Sequence, residues 1–362
     1  MVVTGVGLVT TLGGSCAEIR SRLASGEVAA RRPVTGASGL HVAAIDGFAA
    51  RPHFRQPKAL KVTDRKTQLA VAAAARALAD AGLADVGERD EWAIVLGCSA
   101  SDLQSAELAR ALGPLGPPAP ERAVDDLQFF AERILGRLNP LWLLVNLPNM
   151  VGAHVGIQLA SHGPNHTLTG DWIAGTQALG EAYLAIAGGE REVALAGGAD
   201  APLDPFDLGC LATRRAPAGG PPFTVAEGAA VWVLEERGHA RRRGARELGE
   251  IRGYSSTAAV GGDVPAAIRR ALSSALAGAG DLADEPASAR VESAARQTAA
   301  LSRELHYRLG HALAASGPID GALRLAGMAE ASTAASAAAG LVLAIGTLGQ
   351  CAALALAGPE CS

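Results

Sequence analysis

The chain has 362 residues, 49% of them hydrophobic and 19% charged, with a formal net charge of −4. That length and apolar content predict one large domain or two fused smaller ones, and they exclude a disordered chain. The charge balance provides no field that would gather nucleic acid. Short apolar runs bounded by glycine alternate with alanine-rich helical patterns. "VVTGVGLVT" (2–10) predicts a strand and loop, and "TQLAVAAAARALADAGL" (67–83) a helix with Gly82 where a C-cap belongs. "WAIVLGCSA" (92–100) predicts a buried strand and "VGAHVGIQLASHG" (151–163) a helix. "NHTLTGDWIAGTQALGEA" (165–182) reads as a buried strand, a tight turn and a helix that "GTQALGEAYLAIAGG" (175–189) continues. "VALAGGA" (193–199) and "EGAAVWVLEE" (227–236) predict strands, the second with Glu235 and Glu236 at a wet end.

A second series follows. "ELGEIRGYSS" (247–256) predicts a strand, "DVPAAIRRALSSALAGAG" (263–280) a helix, and "LGHALAASGPIDGALRLAGM" (309–328) a glycine-opened helix. The uncharged stretch Ala331 to Gly358 is long enough to cross a bilayer, but "GTLGQ" (346–350) breaks it between "LVLAI" and "CAALALA". Two strands joined by a glycine-rich turn fit it better, so no membrane span is expected. Two similar strand–helix series predict a layered α/β fold with a pseudo-duplicated core, divided near "ARRRGARE" (240–247).

The cysteines are Cys16, Cys98, Cys210, Cys351 and Cys361, odd in number, widely spaced and without a CxxC pair. No disulfide framework and no metal site is expected, and a reducing cytoplasm is. The N-terminus lacks a basic segment followed by an apolar core, so no secretory signal is expected.

The order of motifs resembles the β-ketoacyl synthase family, which has the thiolase fold. "VVTGVGLVTTLG" is similar to its opening strand and "TDRKTQLAVAAAARALADAGL" to its first long helix. "GPNHTLTGDWIAGTQALGEA" resembles the stretch around the nucleophile, and "LAGGADA" the strand and turn after it. "PPFTVAEGAAVWVLEE" resembles a shortened PFD…GEGAA…LVLE block, and "LGHALAASGPIDG" the KxxxGHxxxAAG segment. The resemblance covers nearly the whole chain. It implies an α/β, thiolase-like, pseudo-duplicated five-layer α-β-α-β-α fold, with an N-terminal half over 1–240 and a C-terminal half over 241–362 in one compact unit.

In that family a cysteine thiolate at a helix N-terminus takes the acyl chain, and two histidines assist decarboxylation and stabilise the enolate oxygen. Anchored on Gly175, the family's T-A-C-x-x-G pattern falls on Gly170, Asp171 and Trp172, so an indole stands at the cysteine position. "VESAARQT" (291–298) puts Ala294 at the first histidine position. His311 retains the second histidine, and His306 replaces the lysine five residues before it. The last glycine-rich loop, similar to G-F-G-G-T-N, reads "GTLGQC". An indole has no nucleophilic atom and its N–H only donates. Asp171 reads as a helix N-cap or first-turn carboxylate rather than a replacement nucleophile.

The resemblance therefore implies a non-catalytic subunit of the chain-length-factor kind. It pairs with an active ketosynthase in a type II polyketide synthase, shapes the acyl tunnel and is served by an acyl carrier protein. No cofactor, nucleic acid or membrane is implied. Trp172 either plugs the unused site or fills core. Two rival readings stay open: a malonyl decarboxylase-like priming subunit, and a homodimeric acyl-binding scaffold. "LQFFAERILGRLNPLWLLVNLPNM" (127–150) gathers Phe129, Phe130, Trp142, Leu143 and Leu144, candidates for tunnel wall or partner interface as against ordinary core. Arg55, Lys58, Lys61, Arg65 and Lys66, with Arg51 beside them, are candidates for a carrier-protein patch as against a solvated charged turn. His154 and His166 flank the former nucleophile position and read as satisfied core groups.

Overall fold

A computed structural model describes residues 1–25, 31–36, 40–87, 89–99, 105–113, 131–170, 173–214, 223–279, 340–345 and 350–357. Its strands are β1 (Val2–Thr10), β2 (Arg32–Pro33), β3 (Leu40–Ala43), β4 (Ala93–Cys98), β5 (Asn165–Thr169), β6 (Val193–Asp200), β7 (Phe223–Ala226), β8 (Gly228–Glu235), β9 (Gly249–Ala258), β10 (Gly340–Ile345) and β11 (Gln350–Ala357). The helices are α1 (Cys16–Ala24), α2 (Arg65–Asp80), α3 (Ser105–Leu112), α4 (Trp142–Asn146), α5 (Met150–Leu159), α6 (Ala174–Ala187), α7 (Pro205–Arg214), α8 (Arg237–Arg242) and α9 (Val264–Ala277).

Eight strands run in the order β10-β11-β9-β1-β8-β6-β4-β5, and β2-β3-β7 form a small separate sheet. β8 is antiparallel to both β1 and β6. In the second series β11 is antiparallel to both β9 and β10, the same arrangement repeated. The two series meet where Val2 and Val3 of β1 pair with Glu250 and Gly249 of β9. The uncharged C-terminal stretch is thus the β10–β11 hairpin, with Gly340 opposite Leu356. Among the described residues no helix is long and apolar enough to cross a membrane.

Helices separate the strands into layers. α2 and α5 cover one face of the first series, and α6 covers the other face while also touching β9 and β11. α9 packs on the far side of β9 and β11. The expected α-β-α-β-α order follows, with α6 in the middle. Small residues permit these contacts. A Cβ on Gly7 would lie 1.8 Å from the Ala73 carbonyl oxygen of α2, and one on Gly253 would lie 1.9 Å from the Ala275 carbonyl oxygen of α9. Each series therefore presses its first strand's backbone directly onto its own outer helix.

The ends of the helices follow local chemistry. Asp64 caps α2 by accepting a hydrogen bond from the Thr67 amide at 2.8 Å, and Gly82 beyond its end has φ +68°, as its sequence position predicts. α5 ends on Ala160 at φ 52°, a left-handed conformation that a Cβ disfavours. Ala160→Gly is expected to stabilise the chain by about 1 kcal/mol, read as a raised urea midpoint.

Candidate functional site

β4, β5 and β6 run parallel, so their carboxyl ends share one rim, the edge where open α/β sheets place ligands. At that rim the Gly170 amide donates to the Cys98 carbonyl at 3.1 Å, holding the exit of β5 against β4. The chain re-enters regular structure at α6. Its N-cap is Ile173, which makes no side-chain capping bond. The helix begins at Ala174, and Asp171, read as its N-cap or first-turn carboxylate, lies outside the described residues. A Cβ on Gly97 would stand 2.2 Å from the Ala174 carbonyl carbon, so α6 starts in direct contact with β4. The strand and the helix expected on either side of the nucleophile position are present, and the residues between them lie outside the described ones.

β5 itself departs from expectation. It lies at the end of the sheet order, and its side chains are exposed or half-buried. Among the described residues nothing pairs with its outer edge. Asn165 turns onto α5, donating from its amide to the Gly152 carbonyl at 2.8 Å. His166 is exposed, not a core group. His154 on α5 is buried at 4% exposure, and burial pushes its pKa down against the smaller opposing effects of the Asp64 charge and the Val62 backbone.

Trp172, Ala294, His306 and His311 lie outside the described residues, as do Phe129 and Phe130. The thiol inventory near the rim is nevertheless clear. No cysteine occurs between Cys98 and Cys210 in the sequence. Cys98 is fully buried with Ile94 and Leu96 in the core beneath α2 and α5, the face of β4 away from α6. It cannot stand in for a nucleophile at the start of α6. Among the described residues no group of three or more His, Cys, Asp or Glu side chains is placed to hold a metal.

Part of the basic patch is corrected. Lys66 is 1% exposed, with its ammonium 3.8 Å from the Asp64 carboxylate, because the second residue of α2 faces the sheet. Arg65 is half-buried and forms a forked pair with Glu227 at 2.8 Å through both Nε and Nη2; Nη2 also donates to the Ile45 carbonyl. Arg65 further lies 4.9 Å over the Phe48 ring. Both cations are structural. Arg55, Lys58 and Lys61 remain exposed and have no carboxylate partner among the described residues, whereas Arg110, Arg191, Arg242 and Arg246 are all ion-paired.

Two further buried polar groups were missed or misread in the sequence, Asp200 at the rim and Glu235 at the opposite end of the sheet, across from Val193. Asp200, at the end of β6, is 3% exposed. Its Oδ1 accepts from the Ser99 hydroxyl at 2.7 Å and the Ala201 amide at 3.0 Å. Glu235, read as lying at a wet end, is fully buried and accepts from Thr4, His239 and Arg243. The expectation failed because its partners His239 and Arg243 lie on α8 and at its C-cap, and α8 begins two residues after Glu235 and turns back over it.

The apolar candidates divide. Trp142 packs against Ala111, Ile134 and Leu138. Leu143 is 61% exposed and Leu144 38%, so the ordinary-core reading is corrected for these two. Leu135, Leu141 and Leu147, in the same apolar run, are exposed as well. α4 touches both α5 and the Pro57–Val62 turn that carries Lys58 and Lys61.

The layered strands and helices, with β5 and α6 meeting at the rim, define a thiolase-like fold. Residues 2–240 match the family model of the β-ketoacyl synthase N-terminal domain, and the chain belongs to the β-ketoacyl synthase family. It is 32% identical over 278 residues to a Streptomyces halstedii protein named as a polyketide β-ketoacyl synthase 1, covering 71% of this chain and 63% of the relative. It is 28% identical over 283 residues to the 3-oxoacyl-[acyl-carrier-protein] synthase 2 of Rhizobium meliloti, covering 70% and 63%. The match thus spans somewhat under two thirds of these relatives. The fold is similar to that of the ishigamide ketosynthase/chain length factor, with a TM-score of 0.72 at 20% identity over 98% of each chain. It is also similar to a chain from a type II polyketide synthase acyl-carrier protein in complex with its ketosynthase, with a TM-score of 0.71 at 18% identity over 99% of each.

Proposed function

We propose that this chain is a non-catalytic ketosynthase homologue of the chain-length-factor kind, pairing with an active ketosynthase to form the acyl tunnel of a type II polyketide synthase. One observation carries the reading. The position that needs a thiol holds Trp172, and no other cysteine lies between Cys98 and Cys210. Without a thiolate there is no covalent acyl intermediate to extend. The outer edge of β5, unpaired among the described residues, and the exposed Leu143 and Leu144 support a partner face, because a strand edge and exposed leucines are what a mate's backbone and apolar side chains satisfy. Lys58 and Lys61, on the turn that α4 touches, and Arg55 before it suit an acidic carrier protein.

Co-expression with a type II ketosynthase is expected to yield a one-to-one complex by native mass spectrometry and condensation activity that neither chain shows alone. Acyl label from a carrier protein should appear on the ketosynthase. Label on this chain, or condensation by this chain alone, would overturn the proposal. Leu143→Asp is expected to weaken the complex by about 100-fold, since a carboxylate would have to enter an apolar contact. The Kd from analytical ultracentrifugation reads this, while the melting temperature of the isolated chain should stay unchanged because residue 143 is exposed.

A further inference from the structure

The exposed leucines of the proposed partner face are launched from a turn whose node is Asn139. Its carbonyl accepts from the Trp142 amide at 2.8 Å, and its side-chain Oδ1 accepts from the Leu141 amide at 2.9 Å. Both bonds run forward into the start of α4, which carries Leu143 and Leu144. Such a turn fixes its own shape but not its place on the rest of the molecule. That place comes from a third bond: the Asn139 amide donates to Oε1 of Glu107, on α3, at 2.8 Å. Beside it Ala111 of α3 packs with Ile134, Leu138 and Trp142, among the described residues a cluster distinct from the cores on the large sheet. Apolar packing is non-directional, so this small cluster holds the turn against α3 without orienting it. A long bond of 3.5 Å from Arg137 Nη1 to the Ala111 carbonyl adds a weaker tie.

α3 is itself anchored to the sheet. Asp204, beyond the end of β6, accepts from the Ser105 amide at 3.2 Å through Oδ2. It thereby supplies, from a distant part of the chain, one of the acceptors that the first turn of a helix lacks. Its Oδ1 accepts from the Phe206 amide at 2.9 Å, which fixes the same carboxylate at the start of α7. A continuous run of bonds leads from the exit of β6 through Asp204, α3 and Glu107 to Asn139.

We infer that Glu107 is a positioning residue for partner docking, setting through the Asn139 amide where the leucine-bearing turn sits on α3. The inference rests on the pairing with a ketosynthase proposed above. The Glu107 side chain is 17% exposed, and the Asn139 amide, then Arg110, hold its carboxyl below the usual range, so it is ionised at neutral pH. A bond to a charged acceptor is stronger than one to a neutral acceptor, which suits a single tie that must orient a segment. Arg110 reaches the same oxygen at 2.5 Å but is 66% exposed, so the ion pair contributes little.

Hydrogen exchange on the isolated full chain reads the seating directly. In Glu107→Ala the amides of residues 139–147 are expected to exchange about tenfold faster, with β4 and β6 unchanged. Glu107→Gln keeps an acceptor oxygen and should restore most of the protection, and Arg110→Gln should leave it unaltered. With a ketosynthase that pairs with the wild type, the Kd from analytical ultracentrifugation should rise about tenfold for Glu107→Ala and stay within about twofold for the other two. The melting temperature of the isolated chain should not move in any of the three. Unchanged exchange in Glu107→Ala, or a Kd that does not follow the exchange, would defeat the inference. A wild type that pairs with no ketosynthase would instead defeat the pairing itself, and the exchange alone would then decide whether Glu107 seats the turn.

Discussion

A Gly7→Val variant is expected to lose at least about 3 kcal/mol of stability, read as a drop in the urea midpoint. The cause is distance. Even a single Cβ at residue 7 would lie 1.8 Å from the Ala73 carbonyl oxygen and 2.4 Å from the Ala77 amide nitrogen, both on the backbone of α2. No rotamer relieves a clash with backbone, so the helix must retreat from β1. Retreat would open gaps around Leu69, Ala70, Ala73 and Ala77, all buried to less than 1% exposure. Gly253→Val is expected to do the same between β9 and α9, where the clash is with the Ala275 carbonyl at 1.9 Å. Gly209→Ala, on α7 with nothing within 4 Å, is the control and should be neutral or slightly stabilising. An unchanged midpoint for both valine variants would contradict the close strand–helix packing in both series.

Lys66→Met is expected to cost about 3 kcal/mol, while Lys58→Met and Lys61→Met stay within about 0.5 kcal/mol of wild type. All three lysines lie within nine residues of sequence, and composition alone treats them alike. The structure separates them. Lys66 is buried beside the Asp64 carboxylate, so its removal leaves Asp64 charged and without its ammonium. Lys58 and Lys61 are exposed on the Pro57–Val62 turn, where water replaces whatever they lose. Chemical denaturation of the three variants side by side checks the ordering. Equal costs would mean that Lys66 is solvated after all.

The regular elements were largely legible. Glycine-bounded apolar runs marked β1, β4, β6, β8 and β9, and alanine-rich periodic stretches marked α2, α6 and α9, because burial on both faces and close packing leave that imprint on local composition. The hairpin of β10 and β11 was legible for the same reason, since a glycine-rich break between two apolar runs is a turn. What stayed hidden depends on partners far away in the chain. Lys66 looked like one more cation in a basic run, and its burial follows from the way α2 turns it onto the sheet beside Asp64. Glu235 looked like a wet strand end until α8 and its C-cap brought His239 and Arg243 back over it. Residues 165–169 read as a buried strand, since periodicity cannot say which strand ends a sheet. At the candidate site, the proposed reading rests on Trp172, which the sequence alone aligns with the family's cysteine position.

The outer edge of β5, unpaired among the described residues, also sets terms for how the chain is made. A row of backbone donors and acceptors attracts any extended segment, including the same stretch of another copy. Synthesised in excess of the partner proposed above, such a polypeptide would ladder with itself into insoluble material. Under that proposal, balanced translation of the two subunits, or a chaperone that shields the edge until docking, becomes a requirement of the architecture and not merely a convenience of regulation.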